Sequence, residues 1–248
     1  MKKFVVLLML AAFLALGSAR GLQAVEFRNF GLKFGLTSGS LRAVEDEGSY
    51  TVEKFKEEGF AGGFFVEIPV VWILSLRPEV LFFQKGGEYD VGVPVSIPNI
   101  KINVFETRSM DYIEVPLMIK SRIPLFRGVG TGFIFGPSLG VNLNGKVVQK
   151  TSVQAPGFTV SFPREENIKG QLKTLELSFA LGGDVDIALP KGKLFIEQRF
   201  FFAFKTNPHR IYVPARQFQE VGFPVAQDIV KDLDMYNYVF FVALGYSF

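Results

Sequence analysis

Large apolar residues alternate with smaller or more polar ones over the last thirteen positions of the chain. The residues that share the bulky phase are Tyr236, Tyr238, Phe240, Val242, Leu244, Tyr246 and Phe248. Because successive side chains of a strand point to opposite faces, this segment predicts a β-strand with one bulky apolar face. Such a strand is typical of a barrel wall that has lipid outside and a tight lumen inside.

The same alternation recurs in seven further segments of the chain. These segments are 29–37, 60–70, 73–83, 111–120, 130–142, 174–188 and 193–205. With the terminal segment they predict about eight strands, and eight is the smallest number in closed outer-membrane barrels. We therefore predict an all-β fold, a closed antiparallel transmembrane β-barrel of about eight strands.

The connections between the predicted strands alternate in length. Short links lie near 70–72, 125–128 and 190–192, and the last contains a Pro-Lys-Gly turn. Long polar links lie at 38–59, 85–110, 146–173 and 206–235. This asymmetry predicts short periplasmic turns and long extracellular loops. Strand-like runs inside two long links, 91–104 and 147–162, predict hairpins that continue the wall beyond the membrane, with extra membrane strands as the alternative.

Four prolines, Pro69, Pro78, Pro116 and Pro137, lie inside predicted strands. Proline donates no ladder hydrogen bond, so a closed barrel with these prolines is expected to contain bulges. The alternative is a soluble, lipocalin-like barrel with its bulky apolar face turned inward to a ligand cavity. The second face of the strands is poor in charge and rich in Gly, Ala and Ser, which favours the membrane barrel.

The amino terminus has the layout of a secretory signal. Lys2 and Lys3 precede an apolar run at 4–16, and small residues follow that run. The run is shorter than the ~20 apolar residues of a spanning helix, and an uncleaved anchor is the alternative. We place the cleavage after Ala24, with Ala19 as the second choice.

The predicted domain organisation is therefore a signal peptide at residues 1–24 and a barrel domain at residues 25–248. The whole chain has 27 Lys and Arg against 24 Asp and Glu, for a formal net charge of +3. The signal peptide contains three of the bases and none of the acids, so the mature chain is predicted to be neutral. A neutral chain lacks the basic surplus typical of nucleic-acid binding, and we predict no such partner.

Few residues are available for catalysis or metal binding. The chain has no Cys, which excludes thiolate zinc sites, catalytic thiols and disulfides. Its single histidine, His209, lies in a long link. The glycine-rich run 128–132 lacks the ending of a phosphate loop, and Asp184-Val-Asp186 lacks the further ligands of a calcium loop. We therefore predict no catalytic residue, no cofactor and no metal.

Several short motifs follow one another in order along residues 29–248. They are Leu76-Arg77-Pro78-Glu79-Val80 with Phe83-Gln84-Lys85-Gly86, Asp111-Tyr112-Ile113-Glu114-Val115-Pro116-Leu117, Gly136-Pro137-Ser138-Leu139 and Gly245-Tyr246-Ser247-Phe248. In order and spacing they resemble the outer-membrane β-barrel domain family of small porin-like bacterial proteins, which includes PorT-type proteins. The resemblance implies a fold and a location in the cell outer membrane rather than an activity. The outer loops are longer than is typical of that family.

The end of the chain also resembles an assembly signal. Tyr246 and Phe248 close an alternating aromatic strand in the manner by which barrel-assembly machinery recognises its clients. The resemblance implies that this machinery is a partner during biogenesis.

The strand registers place eleven charged residues on the inward face. They are Lys33, Glu67, Arg77, Glu79, Glu114, Lys120, Glu176, Asp184, Asp186, Glu197 and Arg199. Ions removed from water persist when they are paired, so we predict a salt-bridge network that fills the lumen and sets the register. Because seven acids outnumber four bases in this set, the alternative is a narrow conduit or ligand site lined by unpaired acids.

These patterns predict a non-enzymatic integral protein of the Gram-negative outer membrane, with a structural or surface-interaction role. Outer-membrane lipid surrounds the barrel, and the long loops are expected to contact an extracellular or envelope protein partner. A porin-like channel for small solutes is the alternative. An outer-membrane hydrolase that depends on His209 is the third hypothesis.

Overall fold

Most of the described chain is β-strand. The computed structural model describes residues 29–43, 51–93, 99–204, 207–219 and 228–248. The strands are β1 (Phe30–Ala43), β2 (Thr51–Phe55), β3 (Glu57–Val66), β4 (Ile68–Val71), β5 (Leu74–Val93), β6 (Lys101–Ser121), β7 (Ile123–Phe126), β8 (Val129–Ala155), β9 (Phe158–Asn167), β10 (Leu175–Leu189), β11 (Gly192–Ala203), β12 (Asn207–Val213) and β13 (Ile229–Ser247).

Two short helical segments, Lys169–Gln171 and Ala215–Gln219, interrupt the strands. Within the described ranges, no helix is long and apolar enough to cross a membrane. The predicted signal peptide at residues 1–24 lies outside these ranges, and its cleavage remains a prediction.

Eight of the strands close into a ring. In order around the ring they are β1, β3, β5, β6, β8, β10, β11 and β13, and β13 pairs back to β1. Each neighbouring pair in the ring is antiparallel. The short strands β4 and β7 follow β3 and β6 at the inner turns, whereas β2, β9 and β12 pair at the outer end. The predicted closed antiparallel barrel of eight strands is confirmed.

The outward face of the barrel is a belt of large apolar side chains. On β1 the side chains of Phe30, Leu32, Phe34 and Leu36 are all more than half exposed. A continuous exposed apolar surface of this kind is typical of contact with lipid. The soluble-barrel alternative, which turns the bulky apolar face inward, is therefore wrong.

The apolar belt ends at one level on neighbouring strands. Its last members on the first four ring strands are Leu36, Phe60, Phe82 and Ile113, and the next outward positions are Ser38, Glu58, Gln84 and Asp111. We take this level as the outer edge of the membrane-spanning segments. The outer cap is the part beyond it, namely β2, β9, β12, the two helical segments with their flanking residues, and the outer parts of β1, β3, β5, β6, β8 and β13.

The short turns lie at the opposite end of the barrel. Each of the three, at 72–73, 127–128 and 190–191, contains two residues, and Asn29, which precedes β1, and Phe248, which follows β13, lie at the same end of the barrel. The two strand-like runs in the long links are outer hairpins, β5–β6 and β8–β9, and add no membrane strand. The predicted asymmetry of short inner turns and long outer hairpins is confirmed.

The barrel accommodates three of these four prolines without bulges. Around Pro78 and Pro116 the ladder skips two residue pairs and then resumes in the same register. Pro137 pairs with Phe179 in an unbroken register. Of the four prolines, only Pro69 adjoins a register shift. The predicted bulges at the other three are wrong, because proline removes one donor from the ladder without adding a residue to the strand.

A bulge does occur at Leu143, in the middle of β8. Tyr112 pairs with Asn142 and Asp111 pairs with Asn144, which leaves Leu143 as the extra residue. Because the side chains of a strand alternate with a period of two, one extra residue reverses the faces. The inward positions of β8 are even-numbered before Leu143 and odd-numbered after it.

The outer cap has its own apolar core. Its buried members include Leu41, Tyr89, Val91, Ile102, Val104, Val153, Ile168, Leu172 and Val213, with Ile100 and Phe162 packed against them. They form one cluster with apolar side chains of the lumen, among them Phe83 and Phe241. The outer mouth of the barrel is therefore covered by packed side chains.

Candidate functional site

A cluster of five charged side chains occupies the middle of the lumen. This central charge cluster consists of Lys33, Arg77, Glu79, Glu197 and Arg199, all at most 3 % exposed. The Nζ of Lys33 lies 2.7 Å from carboxylate oxygens of both Glu79 and Glu197. Arg199 donates two hydrogen bonds to Glu79, at 2.6 and 2.8 Å, and its Nε lies 2.8 Å from Glu197. The cluster joins β1, β5 and β11 across the barrel.

A layer of aromatic rings lies next to this cluster on the outer side. On the inward face of β5, Phe83 comes after Glu79 and Leu81, and on β11 Phe201 is the next inward residue after Arg199. The ring of Phe83 is 4.9 Å from that of Phe201 and 5.5 Å from that of Phe241, measured between centroids. These three rings leave little open cross-section in an eight-stranded barrel, whose lumen side chains can fill.

A second charged group lies beyond the aromatic layer. The Nζ of Lys85 pairs with Glu114 and lies 2.6 Å from a carboxylate oxygen of Glu176. Ser138 donates to Glu114, and the amide of Asn237 donates to Glu176 at 2.5 Å. We call these residues the upper charge cluster.

The inner mouth of the barrel carries two further ion pairs. Lys120 pairs with Asp184 and lies 3.8 Å from Glu67, which accepts a hydrogen bond from Ser75. Arg122 lies 3.0 Å from Asp186, and its side chain is 40 % exposed. These pairs bring carboxylates of β10 against bases that follow one another at the end of β6.

The structure places ten of the eleven predicted charged side chains inside the barrel wall as buried residues. The eleventh, Glu67, is partly exposed at the inner mouth. Sequence reasoning missed Lys85 and Arg122, because it ended the strands that carry them at positions 83 and 120. The alternation of β5 continues from Arg77 through Glu79 to Lys85 and could have revealed the first.

These two bases change the charge balance of the lumen. Among the described residues of the transmembrane barrel, the inward acids are the seven predicted ones. The inward bases become Lys33, Arg77, Lys85, Lys120, Arg122 and Arg199, and Lys193, on the inward face of β11 at the inner mouth, is the seventh. The apparent excess of acids, on which the conduit alternative depended, disappears.

The lumen contains more aromatic bulk than the sequence indicated. Five phenylalanines, Phe65, Phe83, Phe195, Phe201 and Phe241, point inward and are at most 4 % exposed. The prediction that the inward face is mostly small or polar is therefore correct only in part. Inward glycines make room for the rings: a Cβ on Gly245 would lie 2.2 Å from the ring of Phe195.

A polar cavity of about 230 Å³ opens in the outer cap. On β6, the Nε of Arg108 donates to Glu106 at 3.1 Å, and both side chains are at most 3 % exposed. On β9, Arg164 donates to Glu166 at 2.6 Å, and about a third of each side chain is exposed. Burial raises the pKa of Glu106 above its ordinary value, an effect that the nearby Arg108 opposes.

Tyr212 of β12 lies over this cavity. The guanidinium carbon of Arg164 is 5.0 Å from the centre of the Tyr212 ring, and the amide of Gln149 donates to the Tyr212 carbonyl at 3.3 Å. The Tyr212 hydroxyl donates to Asp228 at 2.7 Å, and this bond raises the pKa of Tyr212. Asp228 also accepts a hydrogen bond from the backbone N–H of Ala215, which lowers the pKa of Asp228.

Another cap carboxylate, Glu57, lies just beyond the membrane edge. It accepts a hydrogen bond from Ser109, while its Oε2 is buried with no hydrogen-bond partner among the described residues. Burial raises the pKa of Glu57 to about 7. A carboxyl group with this pKa changes its charge near neutral pH.

The remaining predicted residues lie at the ends of the described chain or outside it. Phe248 stacks on Phe30 with 4.8 Å between ring centroids, and Tyr246 packs edge-on against Phe248. Their role in assembly stays a prediction. The side chain of His209 lies outside the described part of the structure. Within that part, no group of three His, Cys, Asp or Glu side chains is arranged to hold a metal ion.

Comparisons with known proteins identify the family of the chain. A family model described as an outer membrane protein beta-barrel domain matches residues 19–207. Similar solved structures include Ail of Yersinia pestis, 11 % identical over 89 % of this chain and 98 % of that one, with a TM-score of 0.33. OprG of Pseudomonas aeruginosa is 11 % identical over 89 % of this chain and 95 % of that one, with a TM-score of 0.38. No curated protein matches the chain. With the family model covering most of its length, the chain belongs to the outer membrane protein β-barrel domain family and is a protein of the bacterial outer membrane.

Proposed function

We propose that the protein is a closed, non-enzymatic barrel that serves as a membrane anchor for a surface-interaction cap. The barrel positions the cap at the outer face of the membrane, and the cap contacts partners outside the cell. The observation that carries this proposal is the filled lumen.

Ion pairing and ring packing both support a closed lumen. The central charge cluster, the aromatic layer and the upper charge cluster follow one another along the barrel axis. In an apolar surrounding, a solute would have to separate buried charges from their partners, and breaking such a pair costs about 3–5 kcal/mol. The apolar core of the cap covers the outer mouth as well.

The carboxylates of the lumen are arranged for structure rather than for acid–base chemistry. Glu79 and Glu114 are at most 2 % exposed, and each contacts a buried cation. A general acid or base must come within hydrogen-bond reach of a substrate proton. Their enclosure supports the non-enzymatic proposal.

Planar-bilayer recording of the purified protein tests the closed lumen. We expect no resolved conductance steps, with an established porin in the same bilayer as the positive control. The double variant Phe83→Ala/Phe201→Ala removes two of the three rings and is expected to admit small, brief steps. Heat-modifiable migration on a gel verifies that both proteins are folded. Regular steps from the unmodified protein would favour the porin-like alternative instead.

A further inference from the structure

The cavity in the outer cap has an ordered polar base. Two rows of inward-facing side chains run across three adjacent strands. The first row, across β6, β8 and β9, is Glu106, Gln149 and Arg164. The second row lies two residues away on each of the same strands and consists of Arg108, Val147 and Glu166. In the first row the acid is on β6 and the base is on β9, and in the second row the base is on β6 and the acid is on β9. The residue of β8 that lies between them is uncharged in both rows.

The bulge at Leu143 creates this arrangement. It reverses the inward phase of β8, so that Val147 and Gln149 point into the cap instead of outward. If the same residues alternated through Leu143 without a bulge, the inward side chains of this stretch would be Lys146, Val148 and Lys150. The middle of the array would then carry positive charge rather than an amide.

Stability alone does not account for the buried Arg108 and Glu106 pair. Replacing a buried ion pair by apolar residues of similar volume is often neutral or stabilising. Apart from Tyr89, whose hydroxyl contacts both Glu106 and Arg108, the buried cap residues near the pair are apolar, Val104 and Ile168 among them. Where the pair borders the cavity, Arg108 has N–H groups beyond those that face Glu106 and Tyr89.

The charges of the array are already compensated within the protein. Arg108 pairs with Glu106 and Arg164 pairs with Glu166, each two residues away on one face of one strand. An ionised ligand would have to compete with one of these pairs. The guanidinium groups have further N–H donors, and the side-chain carbonyl of Gln149 is an acceptor, whereas its amide N–H groups donate to the Tyr212 carbonyl and to Thr151. A set of donors and acceptors without net charge suits hydroxyl groups, because each hydroxyl both donates and accepts.

The size and position of the cavity agree with a small ligand from outside the cell. Its volume of about 230 Å³ is below the ~300–1,000 Å³ of pockets for drug-sized ligands. Its depth is graded, with Glu106, Arg108 and Gln149 buried at the base and Arg164 and Glu166 partly exposed at the rim. The rim belongs to the cap, beyond the outer membrane edge.

We infer that this cavity binds a single sugar residue of an uncharged glycan. The inference rests on the proposed surface-interaction function and names the ligand class of the cap. The base contacts hydroxyl groups through Gln149 and the two ion pairs, and Tyr212 borders the entrance.

The test uses the full chain in lipid nanodiscs and two panels of oligosaccharides. The first panel consists of oligosaccharides released from bacterial lipopolysaccharide that end in an uncharged hexose. The second consists of oligosaccharides from animal-cell glycans that end in the same hexoses. Sulfated and amino-substituted sugars serve as charged counterparts. We expect at least a tenfold preference for uncharged sugars over both charged classes, and the better panel identifies the source of the glycan.

Matched variants on one strand locate the binding site. Gln149→Leu removes the central amide of the array and is expected to weaken sugar binding at least tenfold. Gln154→Leu, at an exposed outward position of the same strand, is expected to leave binding unchanged. Arg164→Met alters the rim and provides a second test if Gln149→Leu disturbs the cap fold.

Any of three results would overturn the inference. They are absence of sugar binding by the unmodified protein, equal binding by the wild type and the folded Gln149→Leu and Arg164→Met variants, and a preference for sulfated sugars. A silent bilayer without sugar binding would remove this inference and leave the closed-barrel proposal standing. If the protein binds the sugar and also conducts ions, the closed-barrel proposal would be removed and this inference would stand.

Discussion

The guanidinium of Arg77 lies over the ring of Phe65, with its central carbon 3.6 Å from the ring centroid. Both side chains are at most 1 % exposed. None of the three guanidinium nitrogens has a hydrogen-bond partner among the described residues, although Glu79 and Glu197 each lie 3.1 Å away. The guanidinium of Arg77 is therefore held by a cation–π contact with the Phe65 ring in place of aligned hydrogen bonds. The carboxylates of Glu79 and Glu197 balance its charge.

Replacing Phe65 by Leu is expected to destabilise the barrel more than replacing Phe195 by Leu. Both changes remove the edge-on pair between the two rings, whose centroids are 5.5 Å apart. Phe65 lies closer to the guanidinium than Phe195, at 3.6 against 5.0 Å. A desolvated cation–π contact contributes about 2 kcal/mol. Urea unfolding in lipid vesicles measures the difference, and equal losses would contradict it.

Glu79→Gln is expected to lower the free energy of unfolding by about 3–5 kcal/mol, because it leaves buried cations without their charge partner. Glu79 contacts Lys33, Arg77 and Arg199 within 3.1 Å. The matched control is Glu165→Gln, which breaks an exposed ion pair with Lys146 and is expected to cost less than about 1 kcal/mol. Comparable effects of the two variants in vesicle unfolding would contradict the central charge cluster as a stabilising unit.

Gly39→Ala is expected to destabilise the outer end of the barrel by about 1–3 kcal/mol, as overpacking does elsewhere. A Cβ at Gly39 would lie 2.3 Å from the carbonyl oxygen of Gly86, so the backbones of β1 and β5 must move apart. Gly170→Ala is the control, since a Cβ there meets nothing within 4 Å. Hydrogen exchange of the amides of β1 and β5 measures the effect. Unchanged exchange in Gly39→Ala would show that these strands are not tightly packed.

The stability of the cap is expected to fall as the pH rises from about 4.5 to about 7 through Glu57. Burial raises the pKa of this carboxyl from 4.5 to about 7, so the folded protein retains a proton that the unfolded chain releases. The contribution is fully present below about pH 4.5, lost as the pH rises through about 7, and constant above that. The neighbouring Glu88 acts in the same direction by charge repulsion.

Hydrogen exchange of the cap amides at pH values from 4.5 to 8, corrected for intrinsic exchange rates, measures this dependence. Glu57→Gln is expected to flatten the profile, whereas Glu58→Gln, an adjacent exposed position, is expected to retain it. A profile that stays steep in Glu57→Gln would assign the dependence to another group.

Deleting Phe248 is expected to reduce assembly in cells more than it reduces stability. The residue stacks on Phe30, and its backbone N–H donates to the Phe30 carbonyl at 2.9 Å. Phe30→Leu removes the same ring contact but preserves the terminal aromatic residue. If Phe248 is an assembly signal, only its deletion lowers the outer-membrane yield sharply, while both variants refold in detergent. Equal yields would indicate a structural role alone.

The barrel itself could be predicted from the sequence, because a period of two is a local property. The alternation from Tyr236 to Phe248 identified a lipid-facing strand without knowledge of its neighbours. The inward carboxylates and bases followed from the same parity, including Glu79, Glu197 and Arg199. Local patterns sufficed wherever one strand crossed the membrane in an uninterrupted register.

The aromatic filling of the lumen depended on the tertiary structure. Phe201 shares the parity of Glu197 and Arg199, so its inward direction followed from the sequence, but no local pattern showed which side chains it would meet. The structure turns Phe201 inward, where it meets Phe83, a residue more than a hundred positions away. Such a contact depends on ring closure and on the room available opposite each side chain.

The outer cap likewise depended on the third dimension. Strand length determined whether Lys85 was part of a loop or of the wall, and the continuation of the β5–β6 ladder placed it in the lumen. The single extra residue at Leu143 reversed the faces of β8 and brought Gln149 between two ion pairs. Alternation along each strand determined which side chains face the lipid. Pairing between strands determined which side chains meet in the lumen and the cap, because those contacts join residues that no local pattern connects.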